Sequence, residues 1–313
     1  MSILSVNHLL GIKYLKPSDI DLIFKTADNF KKILNQPIKK VPSLRDISIA
    51  NLFFEDSTRT KLSFELAEKR LSAEIINLSS TSSSVKKGET LLDTVNNILA
   101  MKVDIIVLRH PNPGASVFLS RNVDAKIVNA GDGTHEHPTH ALLDSFSLYE
   151  NLKDLKGKNI LIVGDIIHSR VALSNIYALN LLGANVKLSC PLSLLPKDIE
   201  KLNVTIETDI VKALKWCDAV NVLRVQRERM LKSYFPDNRE YSILFGLDVN
   251  KLNKIKKDIL ILHPGPINRG VEITSDVVES NNSLILDQVE NGVAIRMAII
   301  YLLASKMNFS INE

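Results

Sequence analysis

The chain has 313 residues, 45% hydrophobic and 24% charged, which is ordinary for a globular protein large enough for two domains and a sizeable core. Lys and Arg outnumber Asp and Glu by 39 to 35, and the net charge of +4 is too small and too dispersed to indicate a nucleic-acid partner. Two cysteines exclude a disulfide framework, and neither a signal peptide nor a membrane-spanning run is evident, so we expect a cytoplasmic protein.

A strand that turns directly into a helix lies early in the chain. An amphipathic helix is predicted over residues 17–34. Residues 49–54 are then typical of a buried strand, and apolar residues recur at helical spacing from about 62 to 71. The turn between them reads Ser57-Thr58-Arg59-Thr60. A helix N-terminus attracts anions, and three hydroxyls with a guanidinium exceed what an N-cap alone needs. Because no Gly-rich nucleotide loop is present, we predict a small phosphate ligand here.

The next two strands, at 74–78 and 104–108, are separated by a polar segment and a helix at 91–101. The polar segment, residues 79–87, is rich in Ser and Thr and ends in Lys87, and its composition alone favours a solvated linker. Arg109 and His110 directly follow the third strand, where open α/β sheets place their ligand contacts.

A cluster of histidines follows the fourth strand, at 126–129, and precedes a helix at 141–152. His135 and His137 have a metal-ligand spacing, and His140 offers a third nitrogen, so a metal-dependent hydrolase is one alternative. No HExxH motif is present and no carboxylate is placed to complete such a site. A neutral histidine at a helix N-terminus can instead donate a hydrogen bond to a carbonyl group.

A turn at 153–157 marks a boundary between domains, after which strands and helices alternate again. Strands are predicted at 159–163, 185–189, 204–206, 219–223 and 259–262, and helices at 171–182, 194–202, 209–216 and 287–305. Each half therefore predicts a doubly wound parallel sheet with helices on both faces, in the α/β class.

Polar motifs again follow the strands of this second half. His168-Ser169-Arg170 opens a helix, and Arg224-Val225-Gln226 begins an arginine-rich segment suited to a carboxylate, although a solvated face is the alternative. His263-Pro264-Gly265-Pro266 forms a loop stiffened by two prolines.

Six motifs, in one order and spacing, resemble the transcarbamylase family, and within it the aspartate-using branch. They are Ser57-Thr58-Arg59-Thr60, Lys87-Gly88-Glu89-Thr90, His137-Pro138-Thr139, His168-Ser169-Arg170, Arg224-Val225-Gln226 and His263-Pro264-Gly265-Pro266. The resemblance implies carbamoyl transfer from carbamoyl phosphate to L-aspartate in pyrimidine synthesis, by direct attack without a covalent enzyme intermediate, a metal or another cofactor.

The resemblance also implies the role of each residue. Ser57, Thr58, Arg59 and Thr60 would bind the phosphate, and Thr60, Arg109 and His137 would surround the carbonyl oxygen. Arg170, Arg224 and Gln226 would hold the aspartate, and the Gly265-Pro266 backbone would approach the substrates. Ser83 and Lys87 would reach into the site of a neighbouring subunit, with Lys87 contacting both substrates, which makes a homotrimer with shared sites and overturns the linker interpretation.

The family organisation implies a carbamoyl phosphate-binding domain at 1–134, joined by the C-terminal helix 287–305, an interdomain helix at 135–152 and an aspartate-binding domain at 153–286. A regulatory chain or another pyrimidine-pathway enzyme is a possible partner, whereas no nucleic acid or membrane partner is expected.

Two positions depart from the family pattern. Lys61 replaces an arginine and keeps its charge, and His140 replaces a glutamine that contacts the carbamoyl amide. His140 can make one such hydrogen bond but cannot mimic an amide. The rivals that stay open are an ornithine-type transcarbamylase, a metallohydrolase using His135 and His137, and a phosphate-dependent binding module. The arginine-rich segment suits a dicarboxylate better than ornithine.

Overall fold

The computed structural model describes residues 3–79, 88–230, 234–255 and 257–309. The chain divides into two compact units, Met1–Leu142 with Val289–Glu313, and Leu143–Gln288. Each unit is built on its own parallel β-sheet. The division falls inside one helix, between Leu142 and Leu143.

The first unit has a sheet in the order β2-β1-β3-β4. Its strands are β1 (Ser48–Phe53), β2 (Glu74–Ser79), β3 (Ile105–His110) and β4 (Lys126–Asp132), and all the pairings are parallel. The helices that begin in this unit are α1 (Pro17–Leu34), α2 (Thr58–Arg70), α3 (Leu91–Leu99), α4 (Ala115–Ser120) and α5 (Pro138–Leu152), and α5 continues into the second unit. Because β3 and β4 directly follow β1 in the sheet, the loops after these three strands emerge at one edge.

The second unit has a sheet in the order β7-β6-β5-β8-β9, again with parallel pairings. Its strands are β5 (Asn159–Val163), β6 (Asn185–Ser189), β7 (Val204–Ile206), β8 (Ala219–Val222) and β9 (Leu260–Leu262). The helices that follow are α6 (Arg170–Leu181), α7 (Ile210–Trp216), α8 (Asn238–Phe245), α9 (Val249–Asn253), α10 (Ser275–Val278) and α11 (Ile285–Phe309), the last of which returns to the first unit.

The apolar strands of the second unit have a core on each face. Ile160 and Ile162 of β5 pack in one hydrophobic cluster, whereas Leu161 and Val163 pack in another. A strand buried on both faces needs a continuous apolar run, which is why its sequence shows no polar alternation. The fold class predicted from the sequence, α/β with two doubly wound parallel sheets, is confirmed.

The C-terminal helix also behaves as predicted, since α11 packs within the first unit. The ring of Tyr301 meets the ring of Phe30 on α1 edge to face, with 5.6 Å between the centroids. Arg296 donates to Ser63 Oγ at 2.9 Å and lies over the ring of Phe64, so it ties α11 to α2. Among the described residues, no helix combines the length and hydropathy required for a membrane span.

The helix expected at 194–202 is wrong. Two short 3-10 turns, Leu192–Leu194 and Ile199–Leu202, replace it. Pro196 explains the break, because a proline moves the preceding residue out of the helical region, and Leu195 is extended with ψ 129°. Helices α4, α8, α9 and α10 were not predicted, since each is too short to show a clear period.

Candidate active site

The first helix turn of α2 lacks the side-chain cap that most polar N-caps supply. Ser57 occupies the N-cap position with extended backbone, but within the described part of the chain its side chain accepts no hydrogen bond from the first turn. The N-cap side chains of α3 and α7, Thr90 and Asp209, do accept such bonds. Ser57 Oγ instead donates to Thr60 Oγ1 at 2.9 Å. The N–H groups of this turn therefore combine with the helix dipole to favour an anion.

The side chains of this turn differ in exposure. Thr60 is buried, Ser57 is half-buried, and Thr58 and Arg59 are exposed at the surface. An exposed guanidinium beside uncapped N–H groups can bind two oxygens of a phosphate. The turn lies at a helix N-terminus as predicted, and phosphate binding at this turn stays a prediction.

Arg109 lies near the end of β3, and its side chain is held in one orientation. Nη2 donates to Glu55 Oε1 at 2.9 Å and Nη1 donates to the Ala130 carbonyl at 3.1 Å. Glu55 belongs to the turn before α2 and Ala130 to β4, so three strand ends converge on this guanidinium. Arg109 is only 8% exposed, and such a buried, oriented cation can stabilise charge on a ligand oxygen. The neighbouring His110 is engaged locally, because its Nδ1 accepts from the Asn112 N–H at 3.0 Å.

The predicted histidines lie at the start of α5. His137 is buried, and its Nδ1 lies 3.4 Å from Thr139 Oγ1. The rings of His137 and His140 are 5.4 Å apart between centroids, and His140 is half-buried. The prediction that both imidazoles lie at a helix N-terminus is confirmed. His137 directly precedes α5, on the loop after β4, and His140 lies in the first turn of the helix.

His135, the other half of the metal hypothesis, is engaged elsewhere. Its Nδ1 lies 3.4 Å from Asp132 Oδ2, its Nε2 lies 3.3 Å from Lys13 Nζ, and the bond to Asp132 raises the pKa of His135. Glu136 turns towards the N-terminal segment, where Oε2 accepts from the Ile12 N–H at 2.6 Å. Within the described ranges, no group of three or more His, Cys, Asp or Glu side chains is arranged to hold a metal ion.

The second unit carries the aspartate-type motifs, and a buried carboxylate links them. Asp165 follows β5, and its Oδ1 accepts from the backbone N–H of His168 at 3.2 Å and lies 2.8 Å from His168 Nδ1. Its Oδ2 accepts from the Gln226 N–H at 3.3 Å. The His168 carbonyl accepts from Gln226 Nε2 at 3.2 Å and from Arg229 Nη1 at 3.1 Å. The segment after β8 is therefore bonded directly to the segment before α6.

Arg170 and Arg224 are each two residues along the chain from a member of this hydrogen-bonded group, His168 and Gln226 respectively. Ser169 caps α6, since its side chain accepts from the Ala172 N–H. Arg170 is the first residue of that helix and is only 4% exposed. Arg224 follows β8 and is half-buried. Guanidinium groups suit carboxylates, which they bind in bidentate fashion.

Two residues that organise these sites, Glu55 and Asp165, were not predicted from the sequence. Each follows an apolar strand at the carboxyl edge of its sheet, and that position is the available signal. A carboxylate at this position was not expected, because the predicted ligands are anions. Its role is to hold a donor group in place.

The last predicted motif follows β9. Gly265 is half-buried and Pro266 is exposed. His263 is buried beneath them, and its Nδ1 accepts from the Gly265 N–H at 2.8 Å. Ser83 and Lys87 lie outside the described residues, so their predicted roles stay predictions.

Two protein-family models match this chain, one after the other along the sequence. The carbamoyl phosphate-binding domain model of the aspartate/ornithine carbamoyltransferases matches residues 7–150, and the Asp/Orn-binding domain model matches residues 156–303. The chain therefore belongs to the aspartate/ornithine carbamoyltransferase family, as the six motifs predicted.

Similar proteins point to one branch of this family. The chain is 70% identical over 304 residues to an aspartate carbamoyltransferase catalytic subunit of Christiangramia forsetii, covering 97% of this chain and 98% of that one. It is also similar to the structure of an ornithine carbamoyltransferase from Pyrococcus furiosus, with a TM-score of 0.84, 27% identity and coverage of 96% and 98%. An aspartate transcarbamoylase from Trypanosoma cruzi, in complex with carbamoyl phosphate and aspartate, gives a TM-score of 0.84, 26% identity and coverage of 94% of each chain. The fold alone does not separate the two amino acids, whereas the sequence identity favours aspartate.

Proposed function

We propose that this chain transfers the carbamoyl group of carbamoyl phosphate to the amine of L-aspartate, giving N-carbamoyl-L-aspartate and phosphate. The observation that carries the proposal is the pair of donor sets on the two units. One is an uncapped helix turn beside the oriented Arg109, and the other is an arginine pair on segments bonded through Asp165. These sets complement a phosphate and a dicarboxylate. The reaction is a step in pyrimidine synthesis.

The phosphate half of the reaction needs charge stabilisation more than new bonds. Carbamoyl phosphate is a mixed anhydride and is already activated, so a direct attack by the amine suffices, without a covalent enzyme intermediate. Ser57, Thr58, Arg59 and Thr60 bind the phosphate and stabilise it as it leaves. Thr60, Arg109 and His137 donate to the carbonyl oxygen, whose negative charge grows in the tetrahedral intermediate.

The aspartate half of the reaction is mainly positioning. Arg170 and Arg224 hold the carboxylates with Gln226, so that the amine is presented to the carbonyl carbon. Lys87 contributes to both substrates and Ser83 to carbamoyl phosphate, as the family pattern implies. His140 lies where the family has a glutamine, and it offers one hydrogen bond to the carbamoyl group.

The Gly265-Pro266 segment offers acceptors to a ligand. The Gly265 N–H is bonded to His263, and a proline has no N–H, so the two residues can present only carbonyl oxygens. Carbonyl oxygens accept from N–H groups, and both the carbamoyl NH₂ and the attacking amine carry them. We therefore assign this segment to the nitrogen atoms of the substrates.

We further propose a homotrimer with shared active sites. The edge strand β2 and the adjoining helix α2 expose apolar side chains, with Leu62 58%, Leu66 40% and Ile76 37% exposed. An exposed edge strand with apolar neighbours favours burial against another chain. Ser83 and Lys87 follow β2 in the sequence, which suits a reach into a neighbouring subunit. The buried free thiols Cys190 and Cys217 suit a reducing compartment, and the cytoplasm stays our expectation.

An assay of the purified protein tests the reaction. Carbamoyl phosphate is mixed with L-aspartate or with L-ornithine, with and without a chelator, and the carbamoylated amino acid is measured. We expect product with aspartate alone, unchanged by the chelator. Product with ornithine would contradict the assigned amino acid, and chelator-sensitive activity would support the metal hypothesis.

Complementation tests the shared site. Arg170→Ala and Lys87→Ala are each expected to be inactive, and mixing them under subunit exchange should restore activity. Some sites in a mixed trimer then receive an intact copy of both residues. A mixture of Arg170→Ala with Arg224→Ala is the matched control and should stay inactive, because both changes lie on the same side of each site.

A further inference from the structure

A buried carboxylate, Glu272, lies beneath the Gly265-Pro266 segment. Its Oε1 accepts from the Asn268 N–H at 2.6 Å and lies 3.2 Å from His263 Nε2. Glu272 and His263 are both almost completely inaccessible to solvent. One oxygen of this carboxylate therefore contacts the chain on both sides of the exposed Pro266.

The tautomer of His263 follows from its neighbours. Nδ1 accepts from the Gly265 N–H, so the ring proton lies on Nε2 and is donated to Glu272. Glu272 therefore holds the Gly265 N–H indirectly, through the ring of His263. It holds the Asn268 N–H directly, through a hydrogen bond. Residues 265–268 are fixed at both ends by a single carboxylate.

A second buried chain of hydrogen bonds holds the start of the same loop. The His263 N–H donates to Gln288 Oε1 at 3.0 Å, and Gln288 Nε2 donates to Asp144 Oδ1 at 2.6 Å. Asp144 Oδ2 accepts from Asn175 of α6 and Asn221 of β8 at 2.8 and 2.9 Å. These bonds fix the backbone of His263 to the body of the unit, so Glu272 acts on a loop whose origin is already rigid.

The loop is also bonded to the arginine segment. Asn268 Nδ2 donates to the Val225 carbonyl at 3.3 Å, and Val225 lies between Arg224 and Gln226. A displacement of Asn268 therefore reaches both the carbonyl groups of Gly265-Pro266 and the residues assigned to aspartate.

We propose that Glu272 is a positioning residue for carbamoyl transfer, which acts through His263 and Asn268 to aim the carbonyl groups of Gly265-Pro266 at the substrate nitrogen atoms. The proposal rests on the function assigned to that segment above. A carboxylate oxygen suits this task, because it can accept from two donors at once. Glu272 itself touches no substrate.

Variants of Glu272 test this role through kinetics. Glu272→Leu leaves two buried donors without an acceptor, so the loop should shift, and kcat should fall by about 10²-fold, the cost of a misplacement near 1 Å. Glu272→Gln keeps an acceptor oxygen and should retain kcat within several-fold of the wild type. Equilibrium binding of phosphate should change little in either variant, because the α2 turn supplies most of its donors.

A matched control and a second variant keep the test sharp. Glu279→Gln removes an exposed carboxylate, which pairs with Arg269, and should leave kcat unchanged. If Glu272→Leu does not fold, His263→Asn replaces it, because an asparagine can accept from the Gly265 N–H but is too short to reach Glu272. Hydrogen exchange at Gly265 and Asn268 should accelerate in the variant that lowers kcat.

The outcomes separate this inference from the proposed function. A wild-type protein that carbamoylates aspartate, with a kcat unchanged in both Glu272→Leu and His263→Asn, would overturn the positioning role alone. An effect confined to the amount of folded protein, with normal kcat per folded molecule, would do the same. A wild-type protein without carbamoyl transfer would overturn the proposed function and this inference together.

Discussion

Arg109 Nη2 lies 2.9 Å from Glu55 Oε1, and this ion pair is largely buried, with side-chain exposures of 10% and 24%. The carboxylate and the Ala130 carbonyl hold the guanidinium before any substrate arrives. An oriented donor has no reorganisation cost when charge develops on the carbonyl oxygen of the substrate. We therefore expect Glu55 to act on the proposed reaction through Arg109.

Removal of Glu55 should lower turnover. A hydrogen bond to a charged group contributes about 1.5–3 kcal/mol, so we expect Glu55→Ala to reduce kcat by roughly tenfold to a hundredfold. Steady-state kinetics with both substrates provide the measurement. Asp28→Asn, which breaks the exposed pair with Lys32 in the same unit, is the control and should be silent. Equal kcat values in Glu55→Ala and the wild type would contradict the orienting role.

Arg59 should matter more for turnover than for affinity. In the proposed reaction Arg59 stabilises the leaving phosphate as negative charge develops on it in the transition state. Arg59→Ala should therefore reduce kcat by about 10²–10³-fold, as the loss of one such donor typically does. A raised KM for carbamoyl phosphate with an unchanged kcat would show ground-state binding instead. Lys61→Arg restores the family residue two positions along the helix and should leave kcat near the wild-type value.

His140 should contribute to carbamoyl phosphate binding. Its ring lies 5.4 Å from that of His137, at the start of α5, and it replaces the usual glutamine. We expect His140→Ala to raise the KM for carbamoyl phosphate several-fold, and His140→Gln to return it to the wild-type range or below, because an amide offers both a donor and an acceptor. Kinetics at constant aspartate concentration provide the measurement. Similar KM values in all three proteins would place His140 outside the binding site.

Glu68 should make the protein less stable as the pH rises. It lies fully buried on α2, and burial raises its pKa from 4.5 to about 8, although Asn51 Nδ2 donates to its Oε2 at 2.7 Å. The unfolded chain releases this proton above its ordinary pKa, whereas the folded chain retains it. The contribution of Glu68 to the free energy of unfolding is therefore fully present below pH 4.5 and is lost progressively towards pH 8.

Glu68→Gln tests this linkage. A glutamine mimics the neutral acid and can pair with Asn51, so the variant should gain in melting temperature relative to the wild type at pH 8 and gain little at pH 5. Asp21→Asn on α1, where the carboxylate is exposed, should follow the wild-type pH dependence. A Glu68→Gln curve that runs parallel to the wild type at all pH values would show that Glu68 is ionised in the folded protein.

The sequence determined several bounds of the fold directly. Helix α1 and strands β5, β6 and β7 have the predicted bounds. A long amphipathic period indicates a helix, and a short apolar run indicates a buried strand, from local sequence alone. The prediction of a helix at 194–202 was wrong because the pattern of apolar residues was given more weight than Pro196, which breaks a helix. The short helices α8 to α10 gave no period to detect.

The motifs themselves were also readable from the sequence. Ser57-Thr58-Arg59-Thr60 sits on a strand-to-helix turn as predicted, since capping residues and apolar periods are local properties. What the sequence could not supply is the set of partners that orient these groups. Glu55 and Arg109 are 54 residues apart, and Asp165 and Gln226 are 61 apart. His263 and Gln288 are 25 apart.

The first two pairings arise because parallel strands bring their carboxyl ends to one edge of a sheet, and the third because Gln288 at the start of α11 meets the segment after β9. Residue types and local spacing therefore determined which chemistry this protein carries and which family it belongs to. The tertiary structure alone decided which buried carboxylates hold the donors in place, because hydrogen-bond geometry depends on distances between segments that no local pattern records.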